Sequence, residues 1–174
     1  MAKTASYQKS ESNGVTTFTV TPADPPKFIY GVVLAVFFSL FGLMLMPFGI
    51  VILALCGVLL WYGLTDQRPK EHRAPVTFRV APDRVEVGGQ TFKQDDIHRL
   101  IIRNGVTGKE VLEHYTTSAN AAAGMAHRAR TAKVANGLTL ESGGRATFLA
   151  GGMDEVTAYG LLRDVGKVLD FKVD

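Results

Sequence analysis

Apolar and polar residues follow three different rhythms along this chain. The first is an unbroken apolar run. From Phe28 to Leu64 the sequence FIYGVVLAVFFSLFGLMLMPFGIVILALCGVLLWYGL holds no Asp, Glu, Lys, Arg or His, and it lies between Lys27 and Asp66. A membrane span takes about 20 predominantly apolar residues, and one straight helix through the whole run would measure about 55 Å against a hydrocarbon core of about 30 Å. The run therefore predicts a helical hairpin turning at Met46-Pro47-Phe48-Gly49. Pro47 suits the first turn of a second helix, where its missing N–H is no loss. Phe28 to Met46 and Pro47 to Leu64 are then two membrane spans, about 28 and 27 Å long. A re-entrant hairpin and a buried helix pair in a soluble protein are the alternatives.

The second rhythm is alternation. Met1 to Asn13 is polar and predicts no element. Val15 to Thr21 (VTTFTVT) is rich in β-branched residues and predicts a strand, ended by Pro22, Pro25 and Pro26. A lone strand is not stable, so this one needs a partner from the sequence after Pro75, which makes the apolar run an insertion within one sheet. Val76, Phe78 and Val80 alternate with Thr77 and Arg79. Pro82-Asp83 turns the chain, and Gly88-Gly89 joins Glu86-Val87 to Thr91-Phe92 as a tight hairpin. Ile97 to Arg103 is a further strand. Leu138–Ser142 and Arg145–Leu149 form a second hairpin through Gly143-Gly144. Between Val106 and Asn136 the pattern is lost: Val111 to Tyr115 is a candidate short strand, and Ser118 to Val134 is alanine-rich, with Gly124 and a weak periodicity opposing a well-packed helix.

The third rhythm is helical. From Asp154 to Phe171, Val156, Tyr159, Leu162, Gly166 and Leu169 recur at spacings of three and four, with Leu161, Val165 and Val168 widening the stripe. This helix is expected to cover the sheet through Tyr159, Leu162 and Leu169. The chain then divides into an N-terminal arm with one strand (1–27), a two-span transmembrane hairpin (28–64), a juxtamembrane linker (65–75) and a domain of strands closed by a helix (76–174). The fold class is a membrane α-helical hairpin plus an α+β soluble domain.

Charge adds an orientation. Lys3, Lys9 and Lys27 precede the hairpin, and Arg68, Lys70 and Arg73 follow it. A two-span hairpin puts both flanks on one side, which the positive-inside rule assigns to the cytoplasm. Both termini are thus expected there, in a multi-pass inner-membrane protein. Tyr30, Trp61 and Tyr62 fit an interfacial aromatic belt. The net charge of the 174 residues is only +3, which does not suit a dedicated nucleic-acid binder.

Candidate chemistry is sparse. Cys56 is the single cysteine and lies within the apolar run, which leaves no intramolecular disulfide and no multi-cysteine metal site. His72, His98, His114 and His127 are scattered, without the i, i+4 spacing of a helical zinc pair. The glycine pairs read as turns rather than as a nucleotide fingerprint. Asp95-Asp96 and Asp154-Glu155 read as caps. No catalytic residue, metal site or cofactor is expected, and the protein is expected not to be an enzyme. The one stretch with surface chemistry is His127, Arg128, Arg130 and Lys133, a candidate contact for anionic lipid or a partner. No aromatic residue sits among these cations to stack a base.

The segments VTFRVAPDRVEVGGQTFKQDDIHRLIIRNG (Val76 to Gly105) and LTLESGGRATFLAGGMDEVTAYGLLRDVGKVL (Leu138 to Leu169) resemble the bacterial pleckstrin-homology-like (PH-like) domains of small membrane proteins, in which two spans accompany a domain of this kind. The resemblance implies an antiparallel β barrel or sandwich capped by a C-terminal helix, without catalytic activity. Together with the hairpin it suggests a membrane-anchored scaffold or assembly subunit making protein–protein contacts. The partners expected are the lipid bilayer and other copies in a homo-oligomer or a larger membrane complex. A module that senses anionic lipid or a ligand is the alternative.

Overall fold

The computed structural model describes residues 3–45, 49–108 and 123–171. In chain order the elements are β1 (Ser6–Ser12), β2 (Val15–Thr21), α1 (Ile29–Met44), α2 (Gly49–Leu64), β3 (Val76–Ala81), β4 (Arg84–Val87), β5 (Gln90–Lys93), β6 (Ile97–Asn104), α3 (Ala123–Lys133), β7 (Asn136–Ser142), β8 (Arg145–Met153) and α4 (Glu155–Val168). They form two compact units. One comprises Met1–Asp24 and Arg68–Asp174, and the other is Pro25–Gln67.

In the first unit, β1 to β5 make one antiparallel sheet in sequence order, and β6, β7 and β8 make a second. The early strand finds its partner beyond the insertion: β2 pairs with β3, with Phe18 opposite Phe78 and their rings stacked at 5.4 Å. The polar stretch before it is also a strand, because β1 folds back on β2 through Asn13-Gly14. Both turn residues have positive φ, 52° and 73°. Such a turn matches the twist of the flanking strands, so turn chemistry makes a strand of a segment that has no apolar alternation of its own.

Phe18, Val20, Phe78, Val80 and Val85 from one sheet meet Leu138, Leu140 and Leu149 from the other in a common core with α4. Asp154 caps α4 by accepting the Thr157 amide at 2.9 Å. At its other end Gln94 Nε2 donates to the Leu169 carbonyl at 2.6 Å. Of the face expected to cover the sheet, Leu162 and Leu169 are buried and Tyr159 is not. Ala158, Leu161, Leu162, Val165 and Leu169 are buried, whereas Tyr159 is 40% and Val156 82% exposed. The stripe is centred on Leu161 and Val165 rather than on Tyr159.

The second unit is an antiparallel helix pair, and here the sequence expectation fails. Each helix has 16 residues, or about 24 Å at 1.5 Å per residue, against a hydrocarbon core of about 30 Å. Among the described residues no helix is long and apolar enough to cross a membrane. Counting every apolar residue as helical overestimates the first helix, since α1 begins at Ile29 and its last turn closes at Leu45. The two-span transmembrane hairpin, the multi-pass inner-membrane location and the cytoplasmic placement of both termini are corrected accordingly. In place of a membrane hairpin with a PH-like barrel or sandwich, the described residues form an α+β fold of two sheets and four α-helices.

Candidate functional site

Small residues build the contact between α1 and α2. The buried positions are Gly31, Ala35 and Gly42 on α1 and Gly49, Cys56 and Gly63 on α2. The spacing of seven along α2 keeps one narrow face toward its partner. At Gly42 and Gly49 the backbones approach so closely that a Cβ on Gly49 would overlap the Gly42 carbonyl oxygen, and a Cβ on Gly63 would meet Val32 at 3.0 Å.

Large residues face the opposite way. Leu34, Phe37, Leu40 and Leu43 on α1 are more than half exposed, as are Ile50, Val51, Leu55 and Val58 on α2. A water-facing helix pair hides its large apolar side chains between the helices and turns charge outward; this pair carries no charge and turns its large apolar side chains outward. Tyr30 and Trp61 are exposed, and Tyr62 is half-buried. All three sit at the end of the pair where the chain joins the sheet-bearing unit, since Gly63 packs beside Phe28 and Val32.

Where the chain leaves and rejoins the first unit, buried Arg68 closes the gap. Its Nη1 donates to the Ala23 carbonyl at 2.9 Å and to the Val134 carbonyl at 3.3 Å. Arg73 Nε in turn donates to the Arg68 carbonyl at 2.8 Å. His72 follows in a single 3-10 turn, Lys70–His72, and is 4% exposed. Its Nδ1 accepts the Gly152 amide at 3.1 Å, and its ring lies 4.9 Å from that of Phe148. Three glycines make room for this imidazole. A Cβ on Gly105, Gly137 or Gly151 would come within 2.5–2.9 Å of a ring atom of His72. The stretch read as a linker therefore contains two of the most buried polar side chains. The signal in the sequence was Gly105, Gly137 and Gly151, none of which takes the positive φ that marks a turn glycine.

The basic cluster lies on α3, a helix where the sequence opposed a well-packed one. Asn104 secures it, with Nδ2 donating to the Ala132 carbonyl at 2.6 Å and to Asn136 Oδ1 at 2.8 Å. Arg130 and Lys133 are exposed, and His127 is 5% exposed. Burial, with Arg130 nearby, holds the His127 imidazole below its ordinary pKa. Of the expected contact residues, Arg130 and Lys133 thus share the surface and His127 faces inward; the Arg128 side chain, His114 and Val111–Tyr115 lie outside the described residues. Between α4 and β1, Asp164 accepts from the Tyr7 hydroxyl at 3.2 Å and from Lys9 Nζ at 3.1 Å. Burial and the adjacent Asp164 carboxylate push the Tyr7 phenol up. Among the described residues no three His, Cys, Asp or Glu side chains gather into a metal site.

No family model, curated protein or solved structure matches this chain.

Proposed function

We propose that this chain is a non-enzymatic assembly protein, held at a lipid bilayer by a helical hairpin that enters the apolar layer from one side and turns back within it. The observation that carries the reading is the inverted packing of α1 and α2, with glycine, alanine and cysteine between the helices and Leu, Ile, Val and Phe outside. Close approach through small residues is how helices associate where the surroundings are as apolar as leucine. An exposed apolar surface on this scale marks an interaction site. Because it runs around both helices, it fits a continuous apolar medium better than a single groove on a partner. Tyr30 and Trp61 at the open end fit the polar boundary of such a layer.

The test is flotation of the full chain with vesicles of neutral phosphatidylcholine. Wild type is expected to float with them, and added anionic lipid is expected to change little. Leu34→Lys with Leu55→Lys places charge on the outer surface, at about 2.5–3.5 kcal/mol per residue if it enters hydrocarbon, and is expected to abolish flotation. Flotation that requires anionic lipid would instead favour surface attachment through groups such as Arg130 and Lys133.

A further inference from the structure

The five-stranded sheet ends at β1, and among the described residues no strand lies beyond it. Edge strands are normally kept short, bulged, charged or broken by proline, because an open row of N–H and C=O groups recruits another strand. Of these protections β1 has only its charges, Lys9 and Glu11, which guard the edge against any strand that cannot pair them. It is seven residues long, SYQKSES, without proline or glycine, and its register with β2 runs unbroken from Ser6–Thr21 to Ser12–Val15.

The turn fixes which backbone groups point outward. A two-residue turn at Asn13-Gly14 makes Ser12–Val15 a hydrogen-bonded pair, and such pairs alternate along the ladder. Ser6, Gln8, Ser10 and Ser12 therefore spend their N–H and C=O groups on β2, while those of Tyr7, Lys9 and Glu11 face the open edge. Any antiparallel strand added there must bond to these three residues.

We infer that β1 is the docking surface for β1 of a second copy, the two strands pairing antiparallel about a twofold axis at Ser10. Only registers that set outward-facing residues opposite one another can form a ladder. Centring the axis on Lys9 sets Lys9 opposite itself, and like charges directly opposite are destabilising. Centring it on Ser10 sets Lys9 opposite Glu11 of the second copy, twice by symmetry. Lys9 Nζ already meets Asp164 at 3.1 Å, and its ammonium has donors to spare. Glu11 is exposed and makes no ion pair among the described residues. The contact is self-complementary, as a twofold interface has to be, and it joins two five-stranded sheets into one of ten. It deepens the assembly reading but requires nothing of the hairpin's surroundings.

The experiment is oxidative cross-linking of the full chain in mild detergent, on a Cys56→Ser background. Ser10 would face Ser10 across a non-hydrogen-bonded pair, where Cα atoms lie about 4.5 Å apart, within disulfide reach. Ser10→Cys is expected to give a disulfide-linked dimer. Gln8→Cys and Ser12→Cys are each expected to give little alone, but to cross-link when mixed, because position 8 faces position 12. Glu11→Lys should weaken non-covalent dimerisation about tenfold, and the uncharged Glu11→Gln should weaken it less. Using Glu11 for both changes leaves the Lys9–Asp164 contact intact. A monomer at all concentrations, or equal cross-linking from positions 8, 10 and 12, would overturn the inference. Non-specific clustering of hairpins in detergent would give that equal pattern, so the position dependence separates this interface from the anchoring reading.

Discussion

Arg68 donates to the carbonyl of Ala23 at 2.9 Å, joining the residue that resumes the sheet-bearing unit to one 45 positions earlier that leaves it. An insertion within a sheet separates two strands that must pair, here β2 and β3, and costs loop-closure entropy. A buried guanidinium spanning the gap offsets part of that cost and fixes the spacing of the two chain ends. Arg68→Ala leaves the buried Ala23 carbonyl and the part-buried Val134 carbonyl short of a charged donor. It is expected to destabilise the unit by about 3 kcal/mol, since each hydrogen bond to a charged group contributes about 1.5–3 kcal/mol. Arg68→Lys, lacking the planar fork, should recover less than half. Chemical denaturation of both variants checks this.

His72 and Gly105 are expected to be energetically coupled. Gly105→Ala sets a methyl group 2.7 Å from His72 Nε2 and 3.0 Å from Cε1, an overpacking that typically costs about 1–3 kcal/mol. In a His72→Ala background the methyl group gains space, so the double variant should lose at least about 0.5 kcal/mol less than the two single losses added together. Additive losses would mean that the glycine is needed for its backbone alone.

His127 should give the fold an acid-sensitive component. In the folded chain, burial and Arg130 hold its imidazole below the ordinary value of 6.5, so the unfolded chain binds the proton first. Its contribution is fully present above about pH 6.5 and is lost as pH falls below that toward the lowered folded value. Thermal denaturation at about pH 7.5 and pH 5.5 should show a larger drop for wild type than for His127→Gln. Equal drops would place the acid sensitivity elsewhere.

Much of the sheet-bearing unit was legible from sequence, because alternation and glycine-pair turns are local signals. Gly88-Gly89 and Gly143-Gly144 all have positive φ, and each joins the strands its flanking residues predict. That Val15–Thr21 pairs with a strand after Pro75 followed from the instability of a lone strand; that the partner is Val76–Ala81 did not. What was missed depends on long-range contact. β1 is polar because it is an edge. His72 and Arg68 look like linker charges until three glycines and two carbonyls converge on them. Apolar length overstated α1, and the composition of the run did not reveal that glycines would face in and leucines out, because both residue types are apolar.

Leu161 and Tyr159 separate the observed face of α4 from the sequence expectation. Leu161 is fully buried and Tyr159 is 40% exposed. Leu161→Ala should cost about 2–5 kcal/mol, the usual range for a core leucine, and Tyr159→Ala less than about 1.5 kcal/mol. Urea denaturation of the pair decides it, and a larger loss at Tyr159 would mean that α4 is rotated from its observed setting.

The most direct test of the anchoring account uses Trp61, the single tryptophan. The full chain is bound to phosphatidylcholine vesicles whose acyl chains are brominated at a shallow or a deep position, and tryptophan quenching is read. Trp61 lies in the last turn of α2 and should be quenched best by the shallow label. A Trp61→Phe, Leu45→Trp variant, which moves the probe to the far end of α1, should be quenched best by the deep one, and an aqueous quencher sealed inside the vesicles should not reach it. Emission that does not respond to vesicles would contradict the account, leaving protein to cover the apolar surface. Quenching of position 45 from the vesicle lumen would contradict it too, by showing that the hairpin reaches the far side.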